Sequence, residues 1–364
     1  MATTAKTFDQ GAPVNAATRP GTDLSVRPTS TVLFDGLMVV LGFWFMTGLF
    51  LDGSAHDRNL VDSFFTPWHA LLYSGFMANA IALFIVTWRN QARGYHLWMA
   101  IPAGYELSLV GAITFGIGGI LDMLWHVTFG IEVSTEALLS PSHMILAIGL
   151  FLIVNGPFRA AWRRRDKLLN KNWLGWLPML FSLAFTFLLL TFFTFPMNPF
   201  FNVFASSLRT GYSVNDSVEF GFPQMLVQAA IFMGCVLIAA RRWKLPPGSV
   251  TFILTVNVLA LSVISSRAST FIPAAIATGV YADAFMLLLK PSIKHPMLFR
   301  IYAFSIPAVL YTLYFVTLQA NGGVSWTLPF WSGTVVITGL VGLFLSYLMM
   351  PAPGLAVTPP EQTA

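Results

Sequence analysis

Two stretches of this chain set an aspartate four residues before a histidine and close the pattern with a second histidine, in a sequence that has only six histidines among 364 residues. The first set is Asp52, His56 and His69, and the second is Asp122, His126 and His143. In both, the last histidine stands two residues after a proline, in Thr66-Pro67-Trp68-His69 and in Ser140-Pro141-Ser142-His143. On a helix, residues at i and i+4 share one face a turn apart. A proline in the first turn of the next helix loses no hydrogen bond, so each second histidine is expected where the chain returns from the same end. One carboxylate and two imidazoles then meet at one depth. That ligand set suits divalent zinc, copper or iron(II) and, with an open position, oxygen chemistry. Glu132 and Glu136 lie between His126 and His143 and are expected to add oxygen ligands or to orient the imidazoles. A lone Asp-x3-His pair would equally suit solvated or helix-capping side chains; the duplication is what points to a metal site.

Long apolar elements must hold these residues. Hydrophobic residues make up 56% of the chain and charged ones 10%, and apolar runs of about 20 residues, enough to cross a bilayer as helix, recur many times. The expected fold is an all-α, polytopic membrane helix bundle of about ten spans built from two-helix repeats, at 32–51, 65–87, 100–121, 138–158, 174–195, 220–240, 249–266, 270–289, 298–319 and 329–350. A polar segment, 1–31, precedes the bundle 32–350, whose first part, 32–158, carries both Asp/His sets and whose remaining helices occupy 174–350. A Pro-rich tail, 351–364, follows. Segment 1–31 shows no short apolar core ending in small residues, so the first span is expected to act as its own insertion signal. The single cysteine, Cys235, excludes an internal disulfide framework.

The charges give an orientation. Arg89 and Arg93, the cluster from Arg159 to Lys171, the group Arg241, Arg242 and Lys244, and then Lys290, Lys294 and Arg300 fall in alternate loops. The positive-inside rule makes those loops cytoplasmic. Both termini of a multi-pass protein of the cell membrane are then inside, and the Asp/His residues face the opposite side. The net charge of +5 is accounted for by topology and anionic headgroups, so the expected partner is the lipid bilayer and not a nucleic acid. A homo-oligomer or a place in a membrane complex stays open. Trp68, Trp98, Trp173 and Trp243 lie near span ends, where amphipathic rings anchor the interface.

A hairpin repeat organises the spans. Each even-numbered span is expected to open with a proline: Pro67, Pro141, Pro223, Pro273 and Pro329. Two residues on stand His69 and His143, then Met225 as an accessory ligand candidate, then Ala275 and Trp331, so the polar chemistry fades along the chain. Repeats of this kind keep one membrane orientation.

The residues Asp52, His56 and His69, spaced D-x3-H-x12-H with Asp62-Ser-Phe-Phe-Thr-Pro-Trp-His69 leading into a span, resemble the metal-binding segment of the C subunit of copper membrane monooxygenases, the family that oxidises methane and ammonia. The resemblance covers about 25 of the 364 residues. It implies copper as the first candidate metal, ahead of zinc and iron, with Asp52, His56 and His69 as its ligands near the non-cytoplasmic face of a helix bundle. This chain departs from that subunit in having more spans, in the sixteen rather than twelve residues between the histidines of its second set, and in carrying no soluble copper-binding domain. The functional expectation is a membrane metal-binding protein, and as an enzyme a monooxygenase-like oxidoreductase acting on a small apolar substrate.

Other classes compete. Ionisable groups inside spans are costly and often functional, so Glu106 and Asp283, with Asp35 nearer a span end, suit a proton- or cation-coupled transporter. Haem ligation by His69 and His143 would leave the paired aspartates without a role. A zinc-activated water with Glu132 or Glu136 as base would give a membrane hydrolase. The run Thr191-Phe192-Phe193-Thr194-Phe195 could line an apolar cavity or simply pack, and segment 196–219, the longest outer loop, could fold over the site as a lid.

Overall fold

The computed structural model describes residues 24–58, 60, 66–130, 138–164 and 173–350. Its helices are α1 (Val32–Asp57), α2 (Pro67–Gln91), the single turn α3 (Leu97–Ala100), α4 (Glu106–Phe129), α5 (Pro141–Val154), α6 (Gly156–Arg163), α7 (Trp173–Phe193), α8 (Val214–Arg242), α9 (Ser249–Ile264), α10 (Ile272–Leu289), α11 (Pro296–Ala320) and α12 (Leu328–Met349). Two 3-10 turns, Phe195–Met197 and Ser266–Phe271, complete the set, and no strand forms among the described residues. The chain is an all-α polytopic bundle: eight of the described helical segments are long and apolar enough to cross a membrane, and nine if α5 and α6 count as one bent span.

Each of the ten expected spans is helical, but two are irregular for visible reasons. The fourth breaks by 41° between α5 and α6, where Pro157 removes a backbone donor and crowds the preceding turn. Ser182 of α7 repairs the break, donating to Val154 O at 2.6 Å and accepting from Phe158 N at 3.1 Å. In a bilayer such freed backbone groups must be satisfied by neighbouring helices. The seventh, α9, has only 16 residues, roughly 24 Å at about 1.5 Å of rise per residue, and the 3-10 turn after it carries the chain into α10.

Proline opens four of the repeat helices, at Pro67, Pro141, Pro273 and Pro329. Pro223 does not. It lies inside α8, which starts earlier, at Val214, because Ser213 and Asp216 form a reciprocal capping box. The segment expected as a loop at 196–219 is therefore helical from 214 onward. Its earlier part is tied to the 323–325 turn through Ser207 N to Gly323 O and Ser325 N to Ala205 O, and does not form a lid over the Asp/His residues.

The duplication runs deeper than the polar residues. Phe45-x2-Gly48-x2-Leu51-Asp52-x3-His56 in α1 matches Phe115-x2-Gly118-x2-Leu121-Asp122-x3-His126 in α4, and Pro67-x-His69-x2-Leu72-x2-Gly75 in α2 matches Pro141-x-His143-x2-Leu146-x2-Gly149 in α5. The glycines let paired backbones touch. A Cβ on Gly48 would stand 2.5 Å from Leu72 Cα, one on Gly75 2.7 Å from Phe45 Cα, and one on Gly149 2.8 Å from Phe115 Cα. Small residues at such crossings are what allow close helix packing in membranes. The two hairpins meet through the equivalent rings Phe45 and Phe115, whose centroids are 4.9 Å apart in edge-to-face contact.

Helix α7 joins this half to the rest. Its most apolar stretch is 78% buried, against 22–56% for the other membrane-length helices. Phe185, Leu188, Leu189 and Phe192 face the N-terminal hairpins, while Leu180, Leu183, Ala184 and Phe187 face the core of α8 to α12. Gly48→Ala should lower the unfolding temperature in detergent, with a cost of about 1–3 kcal/mol for overpacking. Gly36→Ala, whose added Cβ meets nothing within 4 Å, should not, and equal melting of the two variants would contradict the backbone-contact account.

Candidate metal centre

α1 stays helical to Asp57, so Asp52 and His56 occupy one face of its last turns. Thr66 caps α2 through a contact from His69 N at 3.5 Å, which places His69 in the first turn directly behind Pro67. The three side chains converge: His69 Nε2 lies 3.1 Å and His56 Nε2 3.7 Å from Asp52 Oδ1. The same construction recurs where α4 ends and α5 begins, with His126 Nε2 3.6 Å from Asp122 Oδ2 and His143 Nε2 3.4 Å from Asp122 Oδ1. In each trio one donor atom per residue falls within 4.8 Å of the others. Two ligands at ~2.1 Å from a tetrahedral ion stand ~3.4 Å apart, so the carboxylate-to-imidazole separations suit a shared cation.

Two further observations fit a metal. Asp52 Oδ1 is buried yet makes no hydrogen bond, although His69 Nε2 is close. A buried acceptor left without a donor is costly, and a cation among the three side chains would satisfy it. In the second trio the outer imidazole nitrogens are already engaged: Ser140 Oγ lies 2.7 Å from His143 Nδ1, and Gly130 O lies 3.4 Å from His126 Nδ1. If Nδ1 donates to these oxygens, each Nε2 is free to offer its lone pair to a cation shared with Asp122, the arrangement metal-ligating histidines adopt. Ser142 Oγ donates to Asp122 Oδ1 at 2.8 Å and fixes the carboxylate, which is only 5% exposed.

Both trios reach one cavity of about 340 Å³, the second through Asp122 and His143 and not through His126. Asp52, His56, His69, Asp122 and His143 line it, and apolar walls come from Leu49, Leu72, Phe115, Leu146, Phe192 and Ile264. A third carboxylate, Asp57, lines it with Asp52 and Asp122, and no lysine or arginine stands among its described lining residues. Tyr73, one turn after His69, shares this wall and packs against Gly119, where an added Cβ would stand 3.0 Å from its ring. The run at 191–195 does reach the site, because Phe192, Phe193 and Phe195 line the cavity.

Other expected site residues go elsewhere. Glu132 and Glu136 lie outside the described residues. Met225 is buried in the C-terminal core, where its carbonyl accepts from Tyr311 Oη at 2.9 Å, and it does not reach the cavity. Glu106 is not deep in a span. It sits in the first turn of α4, accepting from Gly104 N at 2.7 Å and facing Arg27 Nε at 3.4 Å. Asp283 is buried as a cap for α9, accepting from Val250 N at 3.1 Å, Thr251 N at 2.9 Å and Thr251 Oγ1 at 2.6 Å. Asp35 is bound by Arg164 and by Tyr105 Oη at 2.7 Å. All three carboxylates hold the fold together through these contacts. Tyr73, Ser140 and Ser142 were not read from the sequence as site residues, although Ser140-Pro141-Ser142 flanks His143 and Tyr73 follows His69 by one turn.

Fold and site together define a helical membrane protein with two Asp/His/His groups able to bind a metal. No protein-family model, curated protein or solved structure matches the chain. Asp283→Ala should lower stability by about 1–3 kcal/mol through the donors it leaves unpaired, read as earlier thermal unfolding. An unchanged melting curve would remove the capping role.

Proposed function

We propose that this protein is a membrane metalloprotein that binds ions, copper foremost, at Asp52/His56/His69 and at Asp122/His126/His143, and that it oxidises a small apolar molecule held between the two groups. The observation that carries this reading is the convergence of both trios on a single, largely apolar cavity. Concave sites with apolar walls and a few convergent polar groups are the usual form of a small-molecule site. Copper there would supply oxygen-dependent oxidation, while zinc would supply a water of lowered pKa for hydrolysis. In this reading the histidines and aspartates would hold and orient the ion, Ser140 and Ser142 hold His143 and Asp122 in place, and the phenylalanine and leucine walls limit water. The basic residues at the opposite helix ends support placing this cavity at the non-cytoplasmic face.

Protein purified in mild detergent without chelator should carry near-stoichiometric metal by mass spectrometry, with up to two ions per chain from the two groups. The variant Asp52→Ala/His56→Ala/His69→Ala and its counterpart Asp122→Ala/His126→Ala/His143→Ala should each lose about half of that content. Copper would support oxidation, whereas zinc as the native ion would redirect the reading to hydrolysis. Wild type that stays metal-free after exposure to copper, zinc and iron would end it.

The serines give a finer test. Ser140→Ala and Ser142→Ala should each weaken the second site about 10- to 100-fold, the usual effect of losing a partner behind a metal ligand, while leaving the first site's affinity unchanged in a chelator competition titration. Loss at both sites, or at neither, would contradict the assignment of these hydroxyls.

A further inference from the structure

At the end of the bundle opposite the Asp/His groups, a second and larger hollow of about 1090 Å³ opens sideways between the start of α1, the end of α2 and the start of α7. Its walls are apolar, formed by Leu33, Leu37, Val40 and Val86 with Leu177 and Phe181. Gly36 lies in the wall, and a Cβ there would meet nothing within 4 Å, so the helix surface is open at that point. Two cations stand in the same wall: Arg89 in the last turn of α2, and Arg93 four residues on. Arg93 Nη1 donates to Asn90 Oδ1 at 3.2 Å, and neither guanidinium has a carboxylate partner among the described residues. Three other arginines at this end are engaged within the fold. Arg164 binds Asp35, Arg27 faces Glu106, and Arg159 is taken up by Gly104 O, Ser108 Oγ and Leu152 O.

We infer that this groove is a binding site for an anionic phospholipid, with the phosphate held by Arg89 and Arg93 and the acyl chains laid along Leu33, Leu37, Val40, Val86 and Phe181. Charge complementarity selects the occupant. Guanidinium groups present paired donors that match phosphate oxygens, and basic pockets between membrane helices at the cytoplasmic side take anionic headgroups. An apolar wall running from those cations toward the middle of the bundle suits hydrocarbon and excludes a water-soluble phosphate, which would leave that wall bare. The inference does not depend on the metal reading, because the groove shares no residue with the Asp/His cavity.

The test is native mass spectrometry of the full chain released from nanodiscs holding equal amounts of phosphatidylglycerol and phosphatidylcholine. Wild type should retain phosphatidylglycerol in preference, by at least about fivefold. Arg89→Ala/Arg93→Ala should abolish the preference, and Gly36→Leu, which fills the groove from an unobstructed helix position and keeps both cations, should lower total retained lipid. Circular dichroism and melting temperature serve as the folding control for both variants. Equal retention of the two lipids by wild type, or an unchanged preference in the double arginine variant, overturns the proposal. So does a groove closed by this chain's own N-terminal residues, which would show as cross-links from residues 1–23 to α2 or α7 with no lipid retained.

Discussion

Contact between helix backbones, made through glycine, is the constraint on which the N-terminal half of this protein depends. Gly48 lies one turn before Asp52, and its α-carbon faces Leu72, one turn after His69. A larger residue at Gly48 would move α2 away from α1 and carry His69 out of reach of Asp52. The second hairpin uses Gly118 and Gly149 at equivalent positions, so His143 meets Asp122 for the same reason. Inside a bilayer the lipid tails are as apolar as the side chains, and close van der Waals approach replaces hydrophobic burial as the force joining helices. The polar residues are therefore placed by the least polar ones.

The two ends of the bundle treat their carboxylates differently. At the basic end, Asp35 has Arg164 and Tyr105, Glu106 faces Arg27, and Asp283 accepts from the first residues of α9. Each of these carries a compensating charge or a set of hydrogen-bond donors, as buried ionised groups require. At the other end Asp52 and Asp122 face imidazoles; Ser142 donates to Asp122, whereas Asp52 Oδ1 is left without a hydrogen bond. That contrast marks Asp52 as the carboxylate whose oxygen remains available to a ligand.

The hairpins are alike but their surroundings are not. Both keep the Asp/His/His geometry, yet the second has Ser140 and Ser142 against His143 and Asp122, and the first contributes Tyr73 to the wall where the second has Ala147. α7 and the end of α9 then close the cavity with Phe192 and Ile264, side chains from outside the repeat. A duplicated scaffold has in this way become an asymmetric site.

Much of this was legible along the chain. Apolar runs of membrane length gave the all-α bundle, because backbone groups in hydrocarbon must bond within their own segment and helix is the open-chain solution. Proline two residues before a histidine marked the starts of α2 and α5, and the Asp-x3-His interval marked the ends of α1 and α4, since both rest on local geometry that a helix carries wherever it packs. Pro223 misled because a stronger local signal, the Ser213 and Asp216 capping box, starts α8 earlier and leaves the proline inside the helix. Glu106 proved to sit in the first turn of α4, while Asp283 is buried as expected; what the sequence did not give is their partners, Arg27 and Thr251, which come from distant segments. The chain by itself determined the helices and which ligand-type residues share a helix face. Only the tertiary structure decided that the two trios share one cavity and that Met225 does not, because that depends on which helices glycine allows to touch.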